Sequence, residues 1–297
     1  MRSIARLVHL RQNFLSCSVT NPRTFTTTRV IRNDKGSSHA EESVTHFGFK
    51  EVPEKKKEDL VGQVFANVAS KYDLMNDIMS LGIHRLWKNY FINSLAPGPD
   101  TKLIDVAGGS GDIAISFLKY CHKTYTSSSP HVTIVDINQQ MLSVASSRLE
   151  SLPYPKSEYT LLLSNAESLS PVPSDSFDAY TIAFGIRNCT HISRVLSEAY
   201  RVLKPGGRFM CLEFAPKQSL AIIEKLYDVY SFDVIPVIGQ VIAQDRDSYQ
   251  YLVESIRKFP QQEQFAEMIK NAGFVVMGKG WTDLSFGVSA IHEGFKI

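Results

Sequence analysis

Apolar positions along this chain recur at two spacings, and the switches between them mark its elements. From Leu60 the spacing is helical: Val61, Val64, Phe65, Val68 and Tyr72 fall three or four residues apart. A second helical stretch, GIHRLWKNYFINSL, is stopped by APGPD, whose prolines and glycine cannot continue it. Short apolar and β-branched runs then alternate with amphipathic ones. KLIDVA (102–107) reads as a strand and GDIAISFLKY as a helix; HVTIVDI (131–137) is a strand and NQQMLSVASSRLE a helix. YTLLLSNA and FDAYTIAF are further strands, HISRVLSEAYRVL is a helix ended by a KPGG turn, and RFMCLEF (208–214) is the next strand. Strands apolar on both faces, separated by helices, predict a parallel sheet covered on both sides. The tail differs. Two helices, around SYQYLVESIRKF and QQEQFAEMIKNAG, precede two strands, FVVMGKGW and FGVSAIHEGF, which lie too close for a crossover and must pair antiparallel. The prediction is an α/β protein: a doubly wound, seven-stranded, mainly parallel sheet with its last strand antiparallel, and a helical N-terminal extension.

Composition adds little to this, but charge placement adds a good deal. The 297 residues are 43% hydrophobic and 21% charged, and no run approaches the length of a membrane span. Residues 1–33 hold six arginines and no Asp, Glu or Lys, with Ile4, Leu7, Val8 and Leu15 on one side of a helical wheel. Arg11 falls on that apolar side, so the amphipathicity is imperfect. Such an Arg-, Ser- and Thr-rich, acid-free segment matches a mitochondrial transit peptide. Outside it, 26 of the 32 basic residues face 30 acidic ones, which disfavours a nucleic-acid partner held by bulk electrostatics. Residues 34–59 read as a flexible lead-in and 60–297 as the folded domain. Cys17 lies in the leader; Cys121, Cys189 and Cys211 are isolated, and the eight histidines show no ligand spacing, so neither disulfide nor metal is expected.

The candidate chemistry starts at DVAGGSGD, residues 105–112, between the first sheet strand and its helix. Gly108, Gly109 and Gly111 permit a tight turn and close approach of a ligand, with Asp105 and Ser110 beside them. Alone, such a loop suits NAD, FAD, a phosphate or mere packing. Asp136, ending the second strand, can accept from a ribose diol. Asp112 follows the loop at once and would repel phosphate; it either faces a cationic ligand or is a first-turn carboxylate favoured by the helix dipole. Asn165 and Ala166, after the third strand, are placed for an adenine edge.

This ordered set, closed by RVLKPGG, resembles the class I S-adenosylmethionine-dependent methyltransferases, whose fold is Rossmann-like. KYDLMNDIMSLGIHRLWK, DVAGGSGDIA, TIAFGIRNCTHI, RVLKPGGRFMCLEF and SYQYLVESIRKFP together resemble the ubiquinone/menaquinone biosynthesis C-methyltransferases, from about Thr45 to the C-terminus. The resemblance implies methyl transfer from S-adenosylmethionine to a ring carbon of a polyprenylated benzoquinol. It implies cofactor contacts at Ser110, Asp136, Asn165 and Ala166, with Ser110 standing where Thr is frequent and Asn165 where Asp is frequent. It further implies mitochondrial coenzyme Q synthesis on the matrix side of the inner membrane, as a peripheral membrane protein and homodimer in a complex with other pathway proteins.

A ring carbon becomes nucleophilic when a phenolic proton is removed, so the site must stabilise a phenolate and hold carbon and methyl in line. Arg187, in GIRN after the fourth strand, is expected to stabilise that phenolate or orient a water; its high pKa argues against direct base action. Its plain alternative is an exposed loop charge. Tyr72, Asn76 and Asp77 are expected to cover the site, with Asp77 or His84 as proton acceptor, against a capping or packing role for each. Arg187, Asn188, Asn76 and Tyr249 are the expected substrate contacts. The stretch 226–243, its helix broken by Pro236 and Gly239, is the candidate for the isoprenoid tail, the membrane or a partner, or equally for core and dimer packing.

Overall fold

The computed structural model describes residues 43–68, 76–78 and 80–297. The transit-peptide reading and Tyr72 lie outside the described residues. The lead-in differs from expectation. It carries a β-hairpin, β1 (Val44–Phe47) and β2 (Lys50–Pro53), and the first helix, α1 (Glu54–Val68), begins six residues before Leu60. Charged EKKKED forms its first turns: lysine and glutamate are good helix formers, and apolar periodicity detects only the buried end.

A seven-stranded sheet follows, in the order β5-β4-β3-β6-β7-β9-β8. Its parallel part is β3 (Lys102–Val106), β4 (His131–Asp136), β5 (Tyr159–Leu163), β6 (Phe177–Ala183) and β7 (Leu203–Phe214). The final strand, β9 (Ser289–Phe295), inserts antiparallel between β7 and β8 (Trp281–Leu284). Helices α2 (His84–Leu95), α3 (Asp112–Thr124) and α4 (Gln139–Glu150) precede α5 (Ile192–Val202), and α6 (Ala221–Val229), α7 (Arg246–Lys258) and α8 (Gln262–Asn271) follow β7.

The strands divide two cores. Leu103 and Ile134 enter the cluster built with Phe91, Phe117 and Leu252, whereas their neighbours Ile104 and Val135 enter the one built with Val195, Phe209 and Phe265. This is the period-two alternation of a sheet buried on both faces.

Local corrections follow from tertiary pairing. KPGG makes its turn inside β7: Leu203 pairs with Phe177 and Arg208 with Ala179, so residues 204–207 bulge out of the β6 ladder, with Gly206 at a φ of 84°. FVVMGKGW is not a strand before Trp281; Val275 forms a lone bridge to Phe295 instead. The cap of α7 is Asp245, whose carboxylate accepts from the Ser248 backbone. The capping box stands one helix later, at Gln261 and Gln264, so Pro260 precedes α8. Pro236 and Gly239 do not break the 221–243 rod; π turns at Tyr230–Val234 and Gly239–Ala243 accommodate them.

Candidate active site

The strand order reverses between β3 and β6, which opens a crevice at the carboxyl ends of the strands. The crevice is kept narrow at its root. A Cβ on Gly185 would lie 2.5 Å from the Ala107 side chain, so only glycine fits there. Ala107 and Phe184 both hold positive φ, at 51° and 56°, a strained geometry for residues with a Cβ.

The crevice widens into a cleft of about 830 Å³ of empty space, solvent at its mouth included. Its floor is Ala107 and Gly109; one wall is Asp136 to Asn138 with Met141, another Ser164 to Glu167, a third Phe184, Gly185 and Asn188 to Thr190. Helix α1 roofs it with Glu58, Val61, Gly62 and Phe65. The residue types suit a nucleoside: an apolar slot with a few convergent polar groups.

Asp136 braces the loop that it faces. Its Oδ2 accepts from the Gly109 backbone at 2.9 Å and its Oδ1 from Asn138 at 2.8 Å. Burial pushes its carboxyl up, opposed by these backbone donors. A carboxylate offers about four lone-pair sites, so Asp136, which lines the cleft, keeps accepting capacity of the kind a ribose diol requires. Asn165 lines the next wall. Its Oδ1 accepts from Glu167 N at 2.8 Å, and its Nδ2 donates to Glu58 Oε2 on α1 at 3.2 Å. Beside it, Ala166 completes that wall.

Gly108 has no room for a side chain: a Cβ would stand 2.9 Å from Asp105 Oδ2 and 2.8 Å from the Ile134 methyl. Asp105 itself is wholly buried, with Oδ1 accepting from Thr181 Oγ1 at 2.8 Å and Oδ2 without a partner among the described residues. Burial pushes its carboxyl up to about 7, against the Thr181 bond. It lines a small cavity behind the loop together with Lys88, Ser110 and Asp112, not the main cleft.

Two loop side chains have partners within the protein. Ser110 Oγ accepts from Arg148 Nη1 at 2.9 Å, and Asp112 is clasped by Lys88 Nζ at 2.5 Å and Arg148 Nη1 at 2.6 Å. Burial opposes ionisation of Asp112, but these two cations hold it down to about 2. Its charge is neutralised within the protein, and it starts α3 as a first-turn carboxylate.

Arg187 follows β6 as expected, yet it does not line the main cleft. Its Nη1 donates to Glu213 Oε1 at 2.7 Å and to the Phe184 carbonyl at 2.6 Å, and its Nε to Ser255 Oγ at 3.3 Å. Both members of the pair are buried, with side-chain exposures of 2% and 1%. It is neither an exposed loop charge nor an unpaired one. Arg187 belongs to a second cavity, of about 520 Å³, with His46, Lys57, Tyr251, Ser255 and Lys258; the two cavities share Cys189 and Thr190 as a wall.

Asn188 stands between the cavities: it lines the cleft, and its Oδ1 accepts from Tyr251 at 3.0 Å. Tyr249, the residue expected there, is fully buried, its ring against Gly239 where a Cβ would approach to 2.5 Å. Two residues on a helix turn by about 200°, so the paired residue is Tyr251. Asn76 is buried and lines neither cavity. Asp77 is held by Arg85 and by His84 Nε2 at 2.8 Å; Arg85 keeps its carboxyl below the usual range, so it is a poor proton acceptor. Burial likewise holds His84 down. Sequence reading missed Lys57, Glu58 and Tyr251, which only long-range packing brings to the cavities, and Glu213, the buried partner of Arg187.

With this geometry in view, known proteins narrow the chemistry. Residues 53–296 match the ubiE/COQ5 methyltransferase family. The chain is 53% identical over 266 residues to the mitochondrial 2-methoxy-6-polyprenyl-1,4-benzoquinol methylase of Schizosaccharomyces pombe, covering 88% of this chain and 86% of that one. It is 47% identical over 305 residues to the Drosophila melanogaster protein of the same name, with 98% of each covered. Among solved structures, a SAM-dependent methyltransferase from Thermotoga maritima superposes with TM-score 0.53 at 17% identity, over 80% of this chain and 100% of that one. The [4+2]-cyclase SpnF superposes with TM-score 0.56 at 17% identity, over 80% and 94%. These two show the fold alone.

Proposed function

The chain belongs to the ubiE/COQ5 methyltransferase family, and from that premise we propose that it methylates a ring carbon of 2-methoxy-6-polyprenyl-1,4-benzoquinol in coenzyme Q biosynthesis, with S-adenosylmethionine as donor. The observation that carries the reading is the pairing of a nucleoside-shaped cleft with a second, cationic cavity across the Cys189–Thr190 wall. The cleft takes the donor and the second cavity the quinol ring.

The residues present fit the donor. Asp136 accepts from the ribose, Asn165 and the Ala166 backbone address the adenine, and the loop through Gly108 to Gly111 admits the amino acid portion. The orphaned Asp105 Oδ2 behind the loop is a counter-charge for the donor's ammonium group. When bound, S-adenosylmethionine supplies an electrophilic methyl group on cationic sulfur. The chain's own task is to align ring carbon and methyl, exclude water with α1, and hold a phenolate. Arg187 serves as a positioning residue. Its bond to the Phe184 carbonyl fixes the turn that carries Gly185 and Asn188, while Asn188 and Tyr251 orient the ring.

The N-terminal 33 residues serve as the transit peptide, consistent with relatives named mitochondrial, and the enzyme works on the matrix side of the inner membrane. Ile222, Leu226, Val229, Val237 and Val241, all exposed, form an apolar row along the 221–243 rod. This row gives peripheral contact with the bilayer that holds the prenyl tail; a homodimer or neighbouring pathway enzymes compete for the same face. The decisive assay is incubation of the mature chain with S-adenosylmethionine and a short-tailed methoxy-quinol, followed by product NMR. The expected product carries its new methyl on the ring carbon. A methyl on oxygen makes the chain an O-methyltransferase instead.

A further inference from the structure

We propose that Lys57 is a catalytic residue, the cation that stabilises the substrate phenolate. This rests on the placement of the quinol ring in the second cavity.

Two strong cations reach the depth of that cavity, and they differ in what they are free to do. Arg187 is committed: Glu213, the Phe184 carbonyl and Ser255 occupy its donors, and its charge is balanced at 2.7 Å. Lys57 is only 5% exposed, yet its ammonium makes a single hydrogen bond among the described residues, to the Cys189 carbonyl at 3.0 Å. An ammonium carries three donors, so two remain for an incoming oxygen. The carboxylates in its field are engaged elsewhere. Glu54 binds Ser43 Oγ and His191, and Glu167 binds the backbone of Thr190 and His191 and the His191 ring. Burial holds the Lys57 ammonium below the ordinary lysine range, opposed by Cys189, Glu167 and Glu54. A buried cation lacking a contact anion gains most when an anion forms beside it.

Position agrees with this role. Lys57 is anchored to Cys189, the residue that walls both cavities, so its charge sits beside the junction where ring and methyl must meet. The other cations of the cavity are less suited: Lys258 is exposed and rests over the Phe49 ring, and His46 is exposed, its pKa pushed down by partial desolvation and by Lys57 and Lys258. In the step itself, the phenol O–H breaks and its proton passes to water. The oxygen keeps the electron pair and accepts from Lys57 Nζ–H, and the charge spreads to the ring carbons ortho and para to it. Preorganised donors at a developing oxyanion are worth orders of magnitude in rate.

The test uses the full mature chain with Lys57→Met, which keeps length and loses charge, and Lys57→Arg. Lys57→Met is expected to lower kcat on the short-tailed methoxy-quinol about 100-fold while S-adenosylhomocysteine affinity stays within about threefold, and Lys57→Arg to retain about a tenth of the rate or more. The loss is expected to shrink on a ring-halogenated quinol, whose phenol ionises more readily. A second measurement needs no variant: 4-nitrophenol bound to the wild type is expected to ionise at least about one pH unit lower than in water, seen as its phenolate absorbance. A Lys57→Met enzyme within about threefold of wild-type kcat, or an equal loss on both quinols, or no shift of the bound nitrophenol, would falsify the assignment. Wild-type enzyme that binds S-adenosylhomocysteine but methylates no quinol overturns the substrate reading itself.

Discussion

Arg187 shows how a single residue changes meaning between sequence and structure. Its place after β6 was legible, because a GIRN turn at a strand end points to the crevice. Its partner was not, since Glu213 lies 26 residues away on β7. A buried ion pair resists loss of one partner, which strands a charge in low dielectric. Arg187→Ala is therefore expected to destabilise the fold by about 3–5 kcal/mol in urea melts, and Arg187→Ala with Glu213→Leu to recover much of that. If the single variant melts like wild type, the pair is not structural. The same contrast runs through the rest of the site. Asp136, Asn165 and Ala166 were readable because strand ends aim them at the crevice. The roles of Ser110 and Asp112 depend on Arg148 and Lys88, and Tyr249 was a misjudged helix phase, with Tyr251 facing Asn188 instead.

At the scale of elements, α1 roofs the cleft and its attachments are well defined. One face of it reaches the sheet loops through Glu54 to His191, Lys57 to the Cys189 carbonyl and Glu58 to Asn165, while Val61 and Phe65 roof the cleft. The Glu54 and Glu58 contacts are solvent-accessible and contribute little singly, so the roof depends on the buried Lys57 bond and on what lies beneath it. S-Adenosylhomocysteine is expected to slow amide exchange across 54–68 more than across α2, and Glu58→Ala to quicken it in the free protein. Equal protection of both helices would mean that α1 does not close on the ligand. The strands and most helices were legible from periodicity. The β1–β2 hairpin and the early start of α1 were not, because their residues are charged and only half-buried. KPGG does turn as local rules predict, yet the strand resumes after it because Arg208 to Phe214 pair with β9 and Arg208 to Leu212 with β6.

For the whole molecule, sheet order places the crevice and the family places the chemistry. The similarity to a [4+2]-cyclase at TM-score 0.56 shows why the fold alone is insufficient. Among the described residues, no helix is long and apolar enough to cross a membrane. The row from Ile222 to Val241 is expected to hold the protein on vesicles of inner-membrane composition in a flotation assay, with Leu226→Glu and Val237→Glu together releasing it. Retention by the double variant would remove this face from membrane contact, and loss of a dimer in sedimentation would assign it to self-association.

The adjacency of Lys57 and Glu58 has a thermodynamic consequence. Consecutive residues of one helix turn serve different cavities, Lys57 the second and Glu58 the cleft. Any ligand that draws α1 down prepares both, so donor and acceptor affinities are reciprocal: each raises the other by the same factor. One helix turn thus links two compartments.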